Sequence, residues 1–219
     1  MTAKTRVLVL ISGSGSNLQA LIDGAQNGEL PIELVAVISN RPGVLGLERA
    51  ARAAIPTLVL DHKCFPDRES FDRALMSSID SYRPDLIVLA GFMRILTAEF
   101  THHYLGRMLN IHPSLLPKFQ GLHTHQRAID AGEHKHGVTV HFVTAELDGG
   151  PAIVQASVPV LASDDAGSLA KRVQRQEHII YPLAVKWFAE GKLHMKQGKS
   201  VLNGEPLPTC GFQIESDEP

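Results

Sequence analysis

The sequence has few cysteines, no long apolar run and no large excess of charge of either sign. Its two cysteines, Cys64 and Cys210, lie far apart without metal-site spacing, so a reducing, cytoplasmic setting is expected. The net charge of -2 gives no general attraction to nucleic acid. Apolar runs such as Leu86–Met93 are too short to span a bilayer, and the N-terminus has no signal-peptide pattern. Nucleic-acid and membrane partners are therefore not expected.

What the chain does have is an alternation of apolar strands and amphipathic helices. Val7–Ile11 and Leu34–Ser39 are continuous apolar runs, typical of strands that a parallel sheet buries on both faces. Between them, Leu18, Leu21 and Ile22 recur at helical spacing. The pattern continues along the chain and predicts an α/β fold, Rossmann-like, with a mostly parallel twisted sheet and helices on both faces.

No repeat or linker divides the chain, so a single domain over residues 1–219 is expected, with a core of about residues 1–195. Residues 196–219 form a small C-terminal appendix in which Asn203-Gly204 predicts a hairpin turn. The end of the chain, Glu215–Pro219, is expected to be disordered. In the long helix that follows Asp165, Pro182 is expected to kink or end the helix.

A glycine-rich turn follows the first strand and opens the first helix, with Ser16 or Asn17 as the expected N-cap. Free N–H groups and the helix dipole make such a turn an anion site. Gly13 and Gly15 fit the dinucleotide fingerprint, but Leu18 takes the place of its third glycine. The turn therefore predicts a single phosphate rather than NAD, and a turn that only connects strand and helix is the alternative.

A second polar site is predicted where a strand ends at Pro113. Asn110 and His112 lie two residues apart, so their side chains point to the same face of that strand. An amide that donates and an imidazole that titrates near neutral pH suit a carbonyl that becomes an oxyanion. The alternative is an Asn and a His that only satisfy the end of a strand.

Two further features of the sequence bear on the site. The segment Met93–Leu96 follows the most apolar strand and is expected either to line a pocket or to join the core. Eleven histidines raise the question of a metal, but the pairs His123/His125 and His134/His136 are spaced by two. On a helix this spacing separates the side chains, so no metal is expected.

Four motifs together resemble the phosphoribosylglycinamide formyltransferase family of purine biosynthesis. The resemblance covers nearly the whole chain, from about Val7 to Trp187, and the motifs occur in the family's order. They are Val9–Leu18, Leu89–Leu96, Leu109–Pro117 and His141–Gly150. The resemblance implies transfer of a formyl group from 10-formyltetrahydrofolate, as co-substrate, to the amine of glycinamide ribonucleotide.

The resemblance also implies which residues act. The catalytic positions of the family fall on Asn110, His112 and Asp148, with Asp148 favouring the charged form of the imidazole. The implied nucleotide-binding residues are Gly15, Ser16, Asn17 and Glu177. The implied folate-binding residues are Arg68, Met93, Arg94, Ile95, Leu96 and Asn110, with backbone contacts from residues 144–148.

Three other functions are alternatives to this one. A formyltetrahydrofolate hydrolase shares the catalytic trio but normally carries an additional N-terminal domain, for which no room is expected before Val7. A methionyl-tRNA formyltransferase needs a basic C-terminal extension, whereas this chain ends on acidic residues. A non-catalytic nucleotide-binding module would not require the trio. The expected partners are small molecules, and the protein is expected to be a monomer or a homodimer.

Overall fold

The structure is a computed structural model that describes residues 3–216, and it divides into two compact units between Asn110 and Ile111. The N-terminal unit contains strands and helices in near-perfect alternation. They are β1 (Thr5–Ile11), α1 (Ser16–Gln26), β2 (Ile32–Ser39), α2 (Leu45–Arg52), β3 (Thr57–Val59), a 3-10 turn (His62–Cys64), α3 (Arg68–Tyr82), β4 (Leu86–Leu89), α4 (Ala98–His103) and β5 (Met108–His112), whose last two residues lie beyond the division. The predicted α/β class is confirmed.

The strands of the N-terminal unit form a parallel array in the order β3-β2-β1-β4-β5. The two central strands are its most buried part, since every side chain of Val7–Ile11 and of Leu86–Val88 is fully buried. Continuous apolar runs in the sequence thus correspond to strands covered on both faces. The predicted apolar face of α1 is also buried, with Leu18, Leu21 and Ile22 at most 2% exposed.

The direction of the chain across this array reverses once. From β1 the chain moves outward through β2 to β3, and then returns past β1 to β4. Because crossovers between parallel strands are right-handed, α1 and α2 lie on one face and α3 lies on the other. The reversal creates a crevice between the carboxyl ends of β1 and β4, which is where open α/β sheets bind their ligands.

The C-terminal unit combines a second set of strands with one long helix. Its elements are α5 (Thr124–Asp130), β6 (Lys135–Phe142), β7 (Ala152–Pro159), α6 (Ala166–Ala189), β8 (Leu193–Lys196), β9 (Lys199–Leu202), β10 (Glu205–Pro206) and β11 (Phe212–Glu215). Strand β7 pairs with β6 in antiparallel fashion and with β11 in parallel fashion. Helix α6 packs on β6 and β7, and buries Leu169, Val173 and Ile180 completely.

Pro182 does not end α6, which continues to Ala189. A proline in a helix removes one backbone hydrogen bond and costs about 3 kcal/mol. Ile180, Tyr181 and Ala184 around it are all fully buried, and this burial outweighs the loss of the bond. The prediction that the helix could end at Pro182 was therefore wrong.

The small C-terminal part is confirmed as a separate three-stranded antiparallel sheet, β10-β9-β8. Its predicted hairpin turn at Asn203-Gly204 joins β9 to β10, with Leu202 opposite Glu205. Glu215 was expected to be disordered but lies in β11, where Ser157 of β7 is its partner and Lys135 pairs with its carboxylate at 2.8 Å. Ser216, which was also expected to be disordered, donates its backbone N–H to the Ser157 carbonyl at 3.0 Å, and residues 217–219 lie outside the described residues.

Across residues 3–216, none of the helices combines the length and the apolar character needed to cross a bilayer.

Candidate active site

An imidazole and a carboxylate lie close together in the C-terminal unit, and the family resemblance assigns both to the catalytic positions. His112 ends β5, and Asp148 lies in the turn between β6 and β7. His112 Nδ1 is 3.5 Å from Asp148 Oδ2, and the two side chains are only 8% and 9% exposed. Burial reduces the solvent screening of any electrostatic interaction between the two side chains.

The loop after β5 supplies further contacts to both residues. His112 Nε2 is 2.9 Å from the Phe119 carbonyl oxygen, and the Gly121 backbone N–H donates to Asp148 Oδ2 at 3.0 Å. The Gln120 side-chain amide donates to the carbonyl of Asp148 over 3.4 Å. Both ring nitrogens of His112 therefore face oxygen acceptors, and the doubly protonated ring is the form that can donate to both.

Asn110 lies two residues before His112 on β5 and is half-buried. Side chains of alternate strand residues point to one face, so its amide projects on the same side of the strand as the imidazole. The pairing of Leu89 with Asn110 aligns this position with the carboxyl end of β4. The predicted polar pair therefore lies at the strand ends, where ligands of α/β sheets bind.

The glycine-rich turn adopts a cap that the sequence did not predict. Gly15, rather than Ser16 or Asn17, is the N-cap of α1, with a left-handed φ of 69°. A side chain at Gly15 would also come within 2.7 Å of the Gly46 Cα atom at the start of α2. Only glycine meets both demands, and Ser16 and Asn17 therefore begin the helix with their N–H groups at its positive end.

The segment after β4 presents its apolar side chains to solvent. Met93 and Ile95 are 63% and 58% exposed, which excludes the alternative that they belong to the core. Arg94 and Leu96 are half-buried, and the Arg94 guanidinium lies 5.3 Å from the centroid of the Phe71 ring. Exposed apolar groups in the crevice of an α/β sheet are typical of a surface that a flat, partly apolar ligand covers.

The two remaining predicted residues lie on helices. Arg68 is the first residue of α3, is exposed, and has its guanidinium 3.7 Å from the Glu69 carboxylate. Glu177 is half-buried on α6, between the buried residues Gln176 and Ile180. In residues 3–216, no group of three or more His, Cys, Asp or Glu side chains is arranged to hold a metal ion.

Comparison with known proteins identifies the family. The sequence model of the formyl transferase family matches residues 5–185. The chain belongs to this family. The phosphoribosylglycinamide formyltransferase of Escherichia coli (strain K12) is 53% identical over 209 residues, which cover 95% of this chain and 99% of that relative. The resemblance read from the four motifs is thereby confirmed.

Solved structures of formyl transferases have the same fold. That of the phosphoribosylglycinamide formyltransferase from Coxiella burnetii superimposes with a TM-score of 0.93 at 51% identity, and covers 96% of this chain and 99% of its own. A formyltetrahydrofolate deformylase from Burkholderia mallei superimposes with a TM-score of 0.83 at 28% identity, over 91% of this chain and 70% of its own. The family fold thus extends to a hydrolytic relative.

Two residues beside the site of this formyl transferase were not singled out from the sequence. The first is His141, near the end of β6, which is 2% exposed and has its Nε2 4.0 Å from Asp148 Oδ1. Burial lowers the pKa of His141, against the opposing effects of the Phe142 carbonyl and the Asp148 charge. Its position just before the turn that carries Asp148 was the available signal.

The second is Arg49 on α2, whose guanidinium Nε donates to the Ser14 carbonyl at 2.9 Å. The Gly46 N–H of the same helix donates to the Gly13 carbonyl at 3.1 Å. The glycine-rich turn is therefore held from outside by α2, and a cation lies beside it. No local pattern reveals these contacts, because they join the turn after β1 to a helix that lies further along the chain.

Proposed function

We propose that this formyl transferase moves the formyl group of 10-formyltetrahydrofolate to the amine of N1-(5-phospho-D-ribosyl)glycinamide. The products are the N2-formyl compound and tetrahydrofolate, and the step belongs to de novo purine (IMP) biosynthesis. The observation that carries this proposal is the buried His112–Asp148 pair at the end of β5, in a chain of this family. The similarity to the phosphoribosylglycinamide formyltransferase of Escherichia coli, over nearly the full length of both chains, supports the choice of acceptor.

The reaction is a direct acyl transfer. The glycinamide nitrogen attacks the formyl carbon, a C–N bond forms, and the carbonyl oxygen becomes an oxyanion. The Asn110 amide and the His112 imidazolium donate hydrogen bonds to that oxygen, and each donor lowers the barrier by roughly 3 kcal/mol if it is already in place. The bond from the formyl carbon to folate N10 then breaks, and a water molecule carries the amine proton to N10.

Asp148 acts in this mechanism through the imidazole. Its carboxylate lies 3.5 Å from Nδ1, so it stabilises the charged ring while Nε2 donates to the oxyanion. The Phe119 carbonyl is the present partner of Nε2, at 2.9 Å. The formyl oxygen must therefore replace this carbonyl, and the backbone around Phe119 moves when the folate binds.

The nucleotide is bound at its phosphate and at its ribose. We assign the phosphate to the backbone N–H groups of Gly15, Ser16 and Asn17, since these lie at the start of an eleven-residue helix. The Arg49 cation beside the turn adds to the attraction. Glu177 is the expected partner of the ribose hydroxyls, because a carboxylate accepts two hydrogen bonds from neighbouring hydroxyls.

The folate is the co-substrate, and no metal takes part. The expected folate-binding residues present an exposed apolar surface beside two cationic groups. They are Arg68, Met93, Arg94, Ile95, Leu96 and Asn110, with backbone contacts from residues 144–148. The arginines suit the carboxylates of a folate, and the apolar side chains suit its pterin ring.

Several wider expectations accompany this function. The partners are small molecules, without nucleic acid or membrane, and the protein acts in the cytoplasm as a monomer or a homodimer. The whole chain, residues 1–219, works as a single formyltransferase domain.

An assay that omits each substrate in turn tests the proposal. Tetrahydrofolate should form only when both 10-formyltetrahydrofolate and the glycinamide ribonucleotide are present, in equal amounts with the formylated nucleotide. Release of tetrahydrofolate and formate without the nucleotide would instead identify a hydrolase. Nucleotide binding without turnover would identify a binding module.

A further inference from the structure

The irregular segment after β4 is held at both ends by buried side chains. The backbone N–H of Met93 donates to Ser12 Oγ at 2.8 Å, and the backbone N–H of Thr97 donates to Asp72 Oδ2 at 2.6 Å. Ser12 is 4% exposed and Asp72 is 1% exposed. The two acceptors come from different parts of the fold, since Ser12 directly follows β1 and Asp72 lies in the second turn of α3. Neither contact follows from a helix or strand pattern.

These bonds matter because burial anchors the segment only weakly. Met93 and Ile95 are mostly exposed, and residues 92–97 belong to no helix or strand. A stretch with few buried apolar contacts opens easily unless polar contacts hold it. A hydrogen bond to a buried acceptor supplies such a contact, and losing it leaves the acceptor unsatisfied, at a further cost.

The Ser12 hydroxyl has its orientation set by a second partner. It donates its one proton to Asn40 Oδ1 at 2.5 Å, and Asn40 is 1% exposed. A lone pair of Ser12 is thereby left for the Met93 N–H. Ser12 also follows β1 directly, at the point where the chain reverses between β1 and β4. The bond therefore spans the crevice in which ligands of such sheets bind.

Asp72 joins the other end of the segment to the helix that carries Arg68. Its Oδ2 accepts from Thr97, which also caps α4 through a 3.2 Å bond from the Phe100 N–H to Thr97 Oγ1. Burial raises the pKa of the Asp72 carboxyl, against the bond from Thr97 and the charges of Arg68 and Arg94. The carboxylate thus lies within electrostatic reach of both arginines that the proposed folate site uses.

We propose that Ser12 and Asp72 are positioning residues, which hold the backbone of Met93–Leu96 in the conformation that binds the folate without contacting the folate themselves. This inference rests on the proposed function, because the segment is the expected pterin surface. It predicts an effect confined to one substrate. Removing either acceptor should weaken the binding of the folate and leave the binding of the nucleotide unchanged.

The kinetic test uses Ser12→Ala and Asp72→Ala with matched controls. Each variant should raise the KM for 10-formyltetrahydrofolate roughly 5- to 50-fold, as expected for loss of one buried hydrogen bond. The KM for the nucleotide and kcat at saturating folate should stay within about twofold of wild type. Asp72→Asn keeps an oxygen that accepts from Thr97, so it should recover most of the folate affinity.

Two controls match the chemical changes. Ser78→Ala also removes a serine hydroxyl, but that hydroxyl donates within α3 to the Ala74 carbonyl at 2.9 Å. Asp23→Ala also removes a carboxylate, which accepts from Gln19 on the exposed face of α1. Both controls should keep the wild-type KM for folate. An equal rise of both KM values in the Ser12 or Asp72 variants would overturn the proposal, since that pattern indicates a general loss of structure.

A second measurement does not depend on activity. Amide hydrogen exchange, followed by NMR in the free protein, should show slow exchange for the Met93 and Thr97 N–H groups. Ser12→Ala should speed exchange at Met93, and Asp72→Ala should speed it at Thr97. If Asp72→Ala fails to fold, Asp72→Asn and Ser12→Ala still decide the question. Fast exchange at both amides in wild type would overturn the inference.

The two measurements separate the inference from the function on which it rests. A wild-type protein that makes no formylated nucleotide, yet protects both amides, would refute the proposed function and leave the backbone anchors intact. Faster exchange in the variants with an unchanged KM for folate would refute the positioning role alone.

Discussion

Two buried ion pairs in the C-terminal unit differ in how completely the carboxylate of each pair is satisfied. Arg172 contacts Asp164 through two bonds of 2.6 and 3.0 Å, whereas His112 approaches Asp148 to only 3.5 Å. The side chains are similarly hidden from solvent, at 9% and 3% for the first pair and 8% and 9% for the second. Burial alone therefore does not distinguish a structural ion pair from one that we propose to be catalytic.

The surroundings of the first pair satisfy its carboxylate, although Arg172 Nε is buried without a hydrogen-bond partner. Asp164 also accepts from the Leu161 N–H and the Ser168 hydroxyl, each at 2.8 Å. Arg172 donates in addition to the Pro159 carbonyl at 3.1 Å. The bond from Arg172 is the main reason that the pKa of Asp164 is lowered to about 2. The pair joins the end of β7 to the start of α6. The Asp164 carboxylate has little capacity left to accept a hydrogen bond from a ligand.

The carboxylate of the His112–Asp148 pair keeps the capacity to accept further hydrogen bonds. Asp148 accepts from the Gly121 N–H, and its other oxygen lies 4.0 Å from His141, beyond hydrogen-bond distance. It also adopts a left-handed φ of 50°, which is uncommon for a residue other than glycine. Such a backbone conformation often occurs at functional sites. A loose, strained pair beside a loop suits a group that must change its partners during a reaction.

The largest effect is expected from breaking the Arg172–Asp164 pair. Arg172→Ala leaves the Asp164 carboxylate buried without its counter-ion, so the free energy of unfolding should fall by about 3–5 kcal/mol. Urea unfolding at pH 7 measures this loss, and Arg175→Ala, at an exposed position on the same helix, is the control. Turnover per folded molecule should change less than twofold. A stable Arg172→Ala protein with poor turnover would reverse the assignment of the two pairs.

Breaking the His112–Asp148 pair should lower the rate of catalysis rather than the stability of the fold. His112→Ala removes an oxyanion donor, and turnover should fall by roughly 10²–10³-fold, which corresponds to about 3 kcal/mol. Nucleotide binding, measured by calorimetry, should persist. His134→Ala removes an exposed histidine and should behave as wild type. Wild-type turnover in His112→Ala would remove this residue from the mechanism.

The stability of the protein in acid should depend on the Asp164 carboxylate. The folded pKa of Asp164 is depressed to about 2, so its contribution to stability is present above the ordinary value of 3.8 and is lost as the pH falls through about 2. Asp164→Asn lacks this contribution. The stability gap between wild type and Asp164→Asn should therefore narrow by about 2 kcal/mol between pH 5 and pH 2. Urea midpoints across that range measure it, and a constant gap would contradict the assignment.

Much of the fold was predictable because its signals are local. The caps at Asp67, Thr97 and Asp165 accept from backbone N–H groups three residues later, which is the local pattern typical of these residue types at an N-cap. The apolar runs of the strands and the hairpin at Asn203-Gly204 were equally readable. An end of the helix at Pro182 was wrongly allowed, because the outcome depends on how much apolar surface α6 buries, which the helix sequence alone does not state. A kink at Pro182 stays a prediction.

The site was predictable only in part, because its contacts join distant residues. No periodicity links His112 to Asp148, and family resemblance rather than spacing paired them. The bond from Met93 to Ser12 spans 81 residues and was not anticipated. The N-cap of α1 was predicted at Ser16 or Asn17 because side-chain preferences favour these residue types. The structure has Gly15 there, since the close approach of Gly46 admits only glycine.

The smallest effect is expected at His141, the second imidazole beside Asp148. Its Nδ1 donates to the Phe142 carbonyl at 2.9 Å, and burial lowers its pKa, so at pH 7 the ring is neutral and its Nε2 carries no proton for Asp148. It therefore supplies neither charge nor a hydrogen bond to the carboxylate. His141→Gln should lower turnover less than roughly tenfold, well short of the loss of an oxyanion donor. Single-turnover rates for His141→Gln and His112→Gln, measured together at pH 7.5, give the comparison. Equal losses in the two variants would show that both imidazoles serve the reaction, and that the loose pair is in fact a triad.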